Sequence, residues 1–120
     1  MQYMLMFYET ANDFASRGDQ RAADYWAGWR AYVQALTDSG IVRAGAGLQP
    51  GATATSLRLR NTTREIQDGP FADTKEQLGG FFLVEVKDLD AALAWAANAP
   101  CAATGGVEVR PALPPRAPAA

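Results

Sequence analysis

The chain predicts an α+β fold of the ferredoxin-like βαββαβ type, an antiparallel sheet with its helices on one face. Three observations carry that expectation. Read along the chain, the elements run strand, helix, strand pair, strand, helix, strand. The stretch from about Asp19 to Ser39 places Ala22, Tyr25, Trp26, Trp29, Tyr32, Val33 and Leu36 at the i, i+3, i+4, i+7 spacing of an amphipathic helix. Two strands, Tyr3 to Tyr8 and Phe81 to Val86, are apolar on both alternating faces, the mark of a strand buried on both sides. Two helices cover only one face of such a sheet, so the other needs a second cover. Another copy of the chain is the simplest one. The expected assembly is a homodimer packed sheet to sheet, a dimeric α+β barrel.

Each element has its own signal. Tyr3, Leu5 and Phe7 alternate with Met4, Met6 and Tyr8 in the first strand. Ala11 to Arg17 reads as a polar connection. Gly40 supplies the left-handed stop of the long helix. Ile41 to Pro50, with Gly45, Gly47 and Pro50, reads as a bent, partly extended connection. Leu57 and Leu59 alternate with Ser56, Arg58 and Arg60 as a half-buried strand, Asn61-Thr62-Thr63 is a turn, and Arg64 to Asp68 returns with Ile66 inward. Asp88 caps a helix carrying Leu89, Leu93 and Ala96, which Pro100 ends. Val107 and Val109 alternate with Glu108 and Arg110 in a last strand closed by Pro111.

At 120 residues the chain predicts one domain, residues 1–111. Four of its seven prolines fall in residues 111–120, so 112–120 reads as a frayed Pro/Ala-rich tail. A hydrophobic fraction of 48% with 20% charged residues is that of a globular protein and argues against disorder of the body. Net charge is −2, and Arg58, Arg60 and Arg64 do not amount to a basic footprint, so no nucleic-acid partner is expected. Cys101 stands alone, which excludes an intrachain disulfide. There is no histidine, which removes the usual zinc sites and every histidine-based mechanism. No metal and no cofactor is expected. The first residues lack a signal-peptide pattern and no run of 18 apolar residues exists, so the expectation is a cytoplasmic protein without a membrane partner.

The most informative run is Asp68-Gly69-Pro70-Phe71-Ala72-Asp73-Thr74-Lys75-Glu76-Gln77-Leu78-Gly79-Gly80. Gly69-Pro70 favours a turn. Asp73 and Glu76 have capping-box spacing, which would start a short helix ended by Gly79-Gly80. On that reading they are structural; otherwise Glu76 borders a cleft. Asp68 either makes an Asx-turn or faces that cleft as a candidate general base, a role that would require burial. Lys75, in the first turn of the short helix, is either a solvated lysine or a cation with an anionic partner, Asp68 or a ligand. Phe71 either plugs the core below the turn or lines the cleft. Trp29, with Tyr25 and Trp26, forms an aromatic stripe that is core or cofactor box. Tyr8 lies at a plausible pocket mouth. The candidate set is thus Asp68 for catalysis, with Tyr8, Trp29, Phe71, Lys75 and Glu76 for binding.

That run resembles the signature of the YCII-related proteins of the DGPF type. Met1 to Tyr8 is similar to the first strand of that family, Gly40 to Leu48 to its glycine-rich segment, Leu89 to Ala97 followed by Pro100 to its second helix, and Val107 to Pro111 to its last strand. The resemblance runs from about residue 1 to 111 and implies the dimeric ferredoxin-like barrel. Some members of the wider group pair a histidine with an aspartate in a cleft. This chain offers Tyr25, Trp26 and Trp29 where that histidine would be sought, so Asp68 would have to act with Lys75, Tyr8 or water. The expected function is binding of an unidentified small molecule near residues 68–76; whether turnover accompanies binding is left open, and any such turnover would be free of histidine. The alternative is a non-catalytic regulatory or interaction module, since genes of this type often neighbour those of sigma factors.

Overall fold

The computed structural model describes residues 1–115. Its main sheet has four antiparallel strands in the order β2-β5-β1-β6, which are Val42–Gly47, Glu76–Glu85, Gln2–Thr10 and Gly106–Pro111. The order is that of a ferredoxin-like α+β fold, with the first strand central because its two-sided apolar sequence tolerates no solvent-facing edge. Along β1 burial alternates without interruption. Tyr3, Leu5, Phe7 and Glu9 are buried on one face, and Met4, Met6 and Tyr8 are half-buried on the other.

The helices α2 (Ala22–Asp38) and α3 (Leu89–Ala97) complete the core on the first of these faces. Leu5, Phe7 and Val84 of the sheet meet Tyr32 and Leu36 of α2 and Ala92 and Ala96 of α3. Leu5, Leu36 and Val84 are fully buried, and each such side chain contributes about 1.5–3 kcal/mol. Phe7 sits edge-on to Trp29, Tyr32 and Phe82, with ring centroids 5.1, 5.9 and 6.0 Å apart. The Tyr32 hydroxyl donates to the Trp95 carbonyl at 2.9 Å, which joins the two helices. Asp88 caps α3 as its sequence predicts, accepting from the Ala91 N–H at 2.9 Å. Burial pushes the Cys101 thiol up to about 12, so it stays protonated and unreactive at neutral pH. Among the described residues no helix is long and apolar enough to cross a membrane.

Four sequence expectations are corrected. Residues 11–17 hold a helix, α1 (Ala11–Ser16), opened by a genuine capping box: Thr10 Oγ1 accepts from the Asp13 N–H at 3.1 Å and Asp13 Oδ2 from the Thr10 N–H at 3.0 Å. Residues 42–47 form β2 at the sheet edge rather than a connection. No helix forms at 73–78; Glu76 opens β5 opposite Thr10, and the strand runs through Gly79 and Gly80. Lys75 is therefore on an exposed loop and not on a helical turn. The long-range ladder with β1 overrides the local capping pattern.

The fourth correction concerns β3 (Thr55–Arg60) and β4 (Thr63–Asp68). They pair only with each other, in a separate two-stranded sheet, so Leu57, Leu59 and Ile66 are exposed instead of inward. Their two-residue turn places Asn61 at φ 49° and Thr62 at φ 66°, the twist a tight hairpin requires. The tail expected over 112–120 lies, from residue 116 onward, outside the described residues. The Ala112 N–H donates to the Gln2 carbonyl at 2.9 Å, which carries the pairing one residue past β6.

Candidate functional site

The inward alternation of β1 ends on a charge. Glu9 follows Tyr3, Leu5 and Phe7 on the core face and is only 2% exposed. A carboxylate buried there requires partners. Arg17, at the C-terminal end of α1, donates from Nη2 to Glu9 Oε2 at 2.6 Å. The Tyr25 hydroxyl, from the first turn of α2, donates to Glu9 Oε1 at 2.5 Å. Arg17 Nε in turn donates to the Tyr25 oxygen at 3.0 Å, which closes the triangle. The remaining Arg17 donors reach the Leu48 carbonyl at 2.5 Å and the Gly79 carbonyl at 3.2 Å. One guanidinium thus ties together the ends of β1 and α1, the start of α2, the chain after β2, and β5.

Two features of the sequence make room for this network. Gly79 is the extra residue of a β-bulge, because Phe7 pairs with Gly80 and Tyr8 with Leu78. A side chain on Gly79 would overlap Glu9 Oε2 and come within 3.0 Å of Arg17 Nη2. The short α1 then turns the chain so that Arg17 folds back over Phe14, its guanidinium carbon 4.6 Å from the ring centre. Burial opposes the Arg17 charge, but hydrogen bonds to Glu9 and Tyr25 and the charge of Glu9 outweigh it and hold the proton more firmly than usual. Burial, then the hydrogen bond to Glu9, pushes the Tyr25 phenol up, against the opposing bond from Arg17. Tyr25 is accordingly a neutral donor at physiological pH.

On one side of this network lies a cavity of about 570 Å³ between α2 and the β2–β5 edge. Arg17 and Tyr25 form its polar end, Phe7, Trp26, Trp29 and Phe82 its aromatic walls, and Val33, Arg30 and Gln34 continue the α2 side. Gly45 is required here, since a side chain at that position would overlap the Phe82 ring. On the other side, Glu9 faces a second, more polar hollow of about 760 Å³ with Phe14, Pro50, Gln67, Asp68, Asp73 and Lys75. The Glu9–Arg17 ion pair therefore stands in the wall between the two. Among the described residues no group of three His, Cys, Asp or Glu side chains stands close enough to hold a metal ion.

The residues singled out from sequence are divided among three places. Trp29 lines the aromatic cavity. Asp68 and Lys75 line the polar hollow; both are exposed and no ion pair joins them. Tyr8 and Glu76, again with Lys75, border a shallow depression on the far face of the sheet, beside Val107 and Glu108. Phe71 does not plug the core. It is 56% exposed and carries the Arg58 guanidinium over its ring at 4.1 Å. Glu9 and Arg17 were not among the candidates. Glu9 had a signal, as the charged residue that continues a strictly apolar inward face, and the Thr10–Asp13 spacing could have revealed α1. Arg17 had none, because its hydrogen-bond partners come from four separated segments.

Comparison with known proteins agrees with this architecture. The chain covers 94% of a solved structure, with 94% of its own length matched, at a TM-score of 0.54 and 17% identity. That structure is the 5-chloro-2-hydroxyhydroquinone dehydrochlorinase TftG from Burkholderia phenoliruptrix, in complex with 2,5-dihydroxybenzoquinone; at this identity the likeness shows the fold. An uncharacterized protein of Rhizobium meliloti (strain 1021) is 37% identical over 117 residues, covering 92% of this chain and 91% of the relative. The model of the YCII-related domain matches residues 1–115, and the chain belongs to that family.

Proposed function

We propose that this protein binds a flat, oxygenated ring compound of the hydroquinone or quinone type in the cavity between α2 and the β2–β5 edge. The observation that carries the reading is the composition of that cavity. Four aromatic side chains form a slot of a size suited to a small ligand, and its inner polar end, Arg17 with Tyr25, is held rigid by the buried Glu9. Apolar walls with a few fixed polar groups are how small-molecule sites combine affinity with orientation. The ring compound held by the structurally similar TftG supports the same ligand class. Because Glu9, Arg17 and Tyr25 are committed to one another, the role assigned to them is to shape and polarise the slot.

Tryptophan fluorescence tests the reading. Titration with 2,5-dihydroxybenzoquinone is expected to quench wild-type emission saturably. Trp29→Ala should weaken binding by about tenfold, the equivalent of ~1.4 kcal/mol of ring contact, and Asp68→Asn should leave it unchanged. Loss of binding in Asp68→Asn with retention in Trp29→Ala would overturn the assignment.

That reverse outcome would favour a second reading, in which the ligand sits in the polar hollow. What supports it is that Asp68 and Lys75 front one space together with Glu9. There Asp68 would be the candidate base and Lys75 would steady negative charge, and the burial that a base requires would have to come from the ligand or from a second copy.

The chain is also proposed to work as a homodimer. The sheet face away from the helices carries Met4 and Met6 opposite Leu83 and Phe81, with Tyr8 beyond, and no helix of the described residues covers it. A sheet face this apolar is expected to be buried against another copy. Analytical ultracentrifugation should show a dimer, and Met6→Glu, which puts a charge at the centre of the face, should shift it to monomer. A wild-type protein that sediments as a monomer at micromolar concentration contradicts the proposal.

A further inference from the structure

We infer that the cavity selects ring compounds bearing a carboxylate, and that Arg30 is the residue that reads it. The inference rests on the ligand seat proposed above and adds the charge of the occupant. The lining contains two arginines, Arg17 and Arg30, and no acidic residue. The first is neutralised within the wall, because Glu9 takes its charge at 2.6 Å and backbone carbonyls take further donors. Arg30 has no ion pair among the described residues.

Its position explains why. One turn to either side along α2 stand Trp26 and Gln34, with Ala27 and Val33 at the shorter spacing, so no carboxylate is available at the distances where helix ion pairs form. Gln34 does not compensate, since its amide carries no charge; its Nε2 donates to Asp38 at 2.8 Å. Trp26, Arg30 and Gln34 line the cavity and are exposed, whereas Tyr25, Trp29 and Val33 of the same helix are half-buried, which places a planar five-donor cation at the rim of an aromatic slot. A ring lying in the slot with a carboxylate at that rim would satisfy both. The guanidinium fork pairs with the two carboxylate oxygens, and the ring takes the apolar walls. The asymmetry is directional: oxygens at the inner end meet the Arg17–Tyr25 pair, and the negative group stays at the outer end, where its desolvation is small.

The test compares two ligands that differ by the carboxylate alone, 2,5-dihydroxybenzoate and hydroquinone, by calorimetry on wild type and Arg30→Gln. Wild type is expected to bind the acid about five- to tenfold more tightly than hydroquinone. In Arg30→Gln that preference should vanish while hydroquinone affinity holds, and 0.5 M salt should erode the preference in wild type only. Equal affinity of wild type for both ligands overturns the inference and leaves the proposed seat standing. So does a loss in Arg30→Gln that is the same for both. If neither ligand binds, the proposed seat fails and the inference with it.

Discussion

Arg17→Met is expected to lower stability by about 3–5 kcal/mol, the usual result of removing one partner from a buried ion pair. For a domain of this size that is a fall of roughly 12–20 °C in Tm. The reason is Glu9. Its carboxylate is 2% exposed and depends on Arg17 for charge compensation, with Tyr25 supplying the other hydrogen bond. Methionine keeps most of the side-chain volume and its contact with Phe14, so the loss is one of charge and hydrogen bonds rather than of packing. A double variant, Glu9→Gln with Arg17→Met, separates this cause from others. If the penalty comes from an uncompensated carboxylate, the double variant recovers more than 1 kcal/mol relative to the sum of the single ones, as residues in one network do. Strict additivity in urea denaturation would mean that the two side chains act independently.

Gly79→Ala is the second large effect, and it runs against the ordinary rule for strands. Replacing a strand glycine with alanine normally helps slightly by reducing the freedom of the unfolded chain. At Gly79 the added methyl would overlap Glu9 Oε2 and crowd Arg17 Nη2. The network must shift, at a cost of about 2–3 kcal/mol. Gly47→Ala is the matched comparison. It lies in β2, within the same sheet, and a side chain there meets nothing within 4 Å. That variant should be neutral or stabilised by up to about 0.5–1 kcal/mol. Chemical denaturation of the pair is expected to give opposite signs; equal effects would mean that the bulge has room the structure does not reveal.

How much of this was legible in the sequence depends on the range of the forces involved. The strict alternation of Tyr3, Leu5 and Phe7 and the 3.6-residue rhythm from Ala22 to Leu36 are local records of burial, and both the central strand and the long helix follow them. The element order led to the ferredoxin-like sheet for the same reason. Asp73 and Glu76 misled because capping-box spacing describes what a segment does when nothing else competes. Here Glu76 to Gly80 has a strand to pair with, and one backbone ladder across to Thr10 and Phe7 outweighs a single helical turn. The hairpin misled in the opposite way. Leu57, Leu59 and Ile66 have the alternation of a half-buried strand, yet no layer of the described residues lies over them.

The candidate site was legible only in its aromatic half. Trp29 stood out by composition and does line the cavity. The polar half is a property of the folded chain, since Arg17 reaches residues 9, 25, 48 and 79 at once and no local pattern announces such a meeting. Asp68 and Lys75 stood out as charged residues beside a rigid turn. That reading singled out a segment that fronts the neighbouring hollow rather than the aromatic one.

The proposed seat of the ligand in the aromatic cavity is tested most directly by a crystal structure of the protein soaked with 2,5-dihydroxybenzoquinone. Density for the ring between α2 and β5, against Trp29 and Phe82 with an oxygen toward Arg17, is the expected result. Density for it in the hollow beside Asp68 and Lys75, with the aromatic cavity holding only solvent, would overturn the proposed seat.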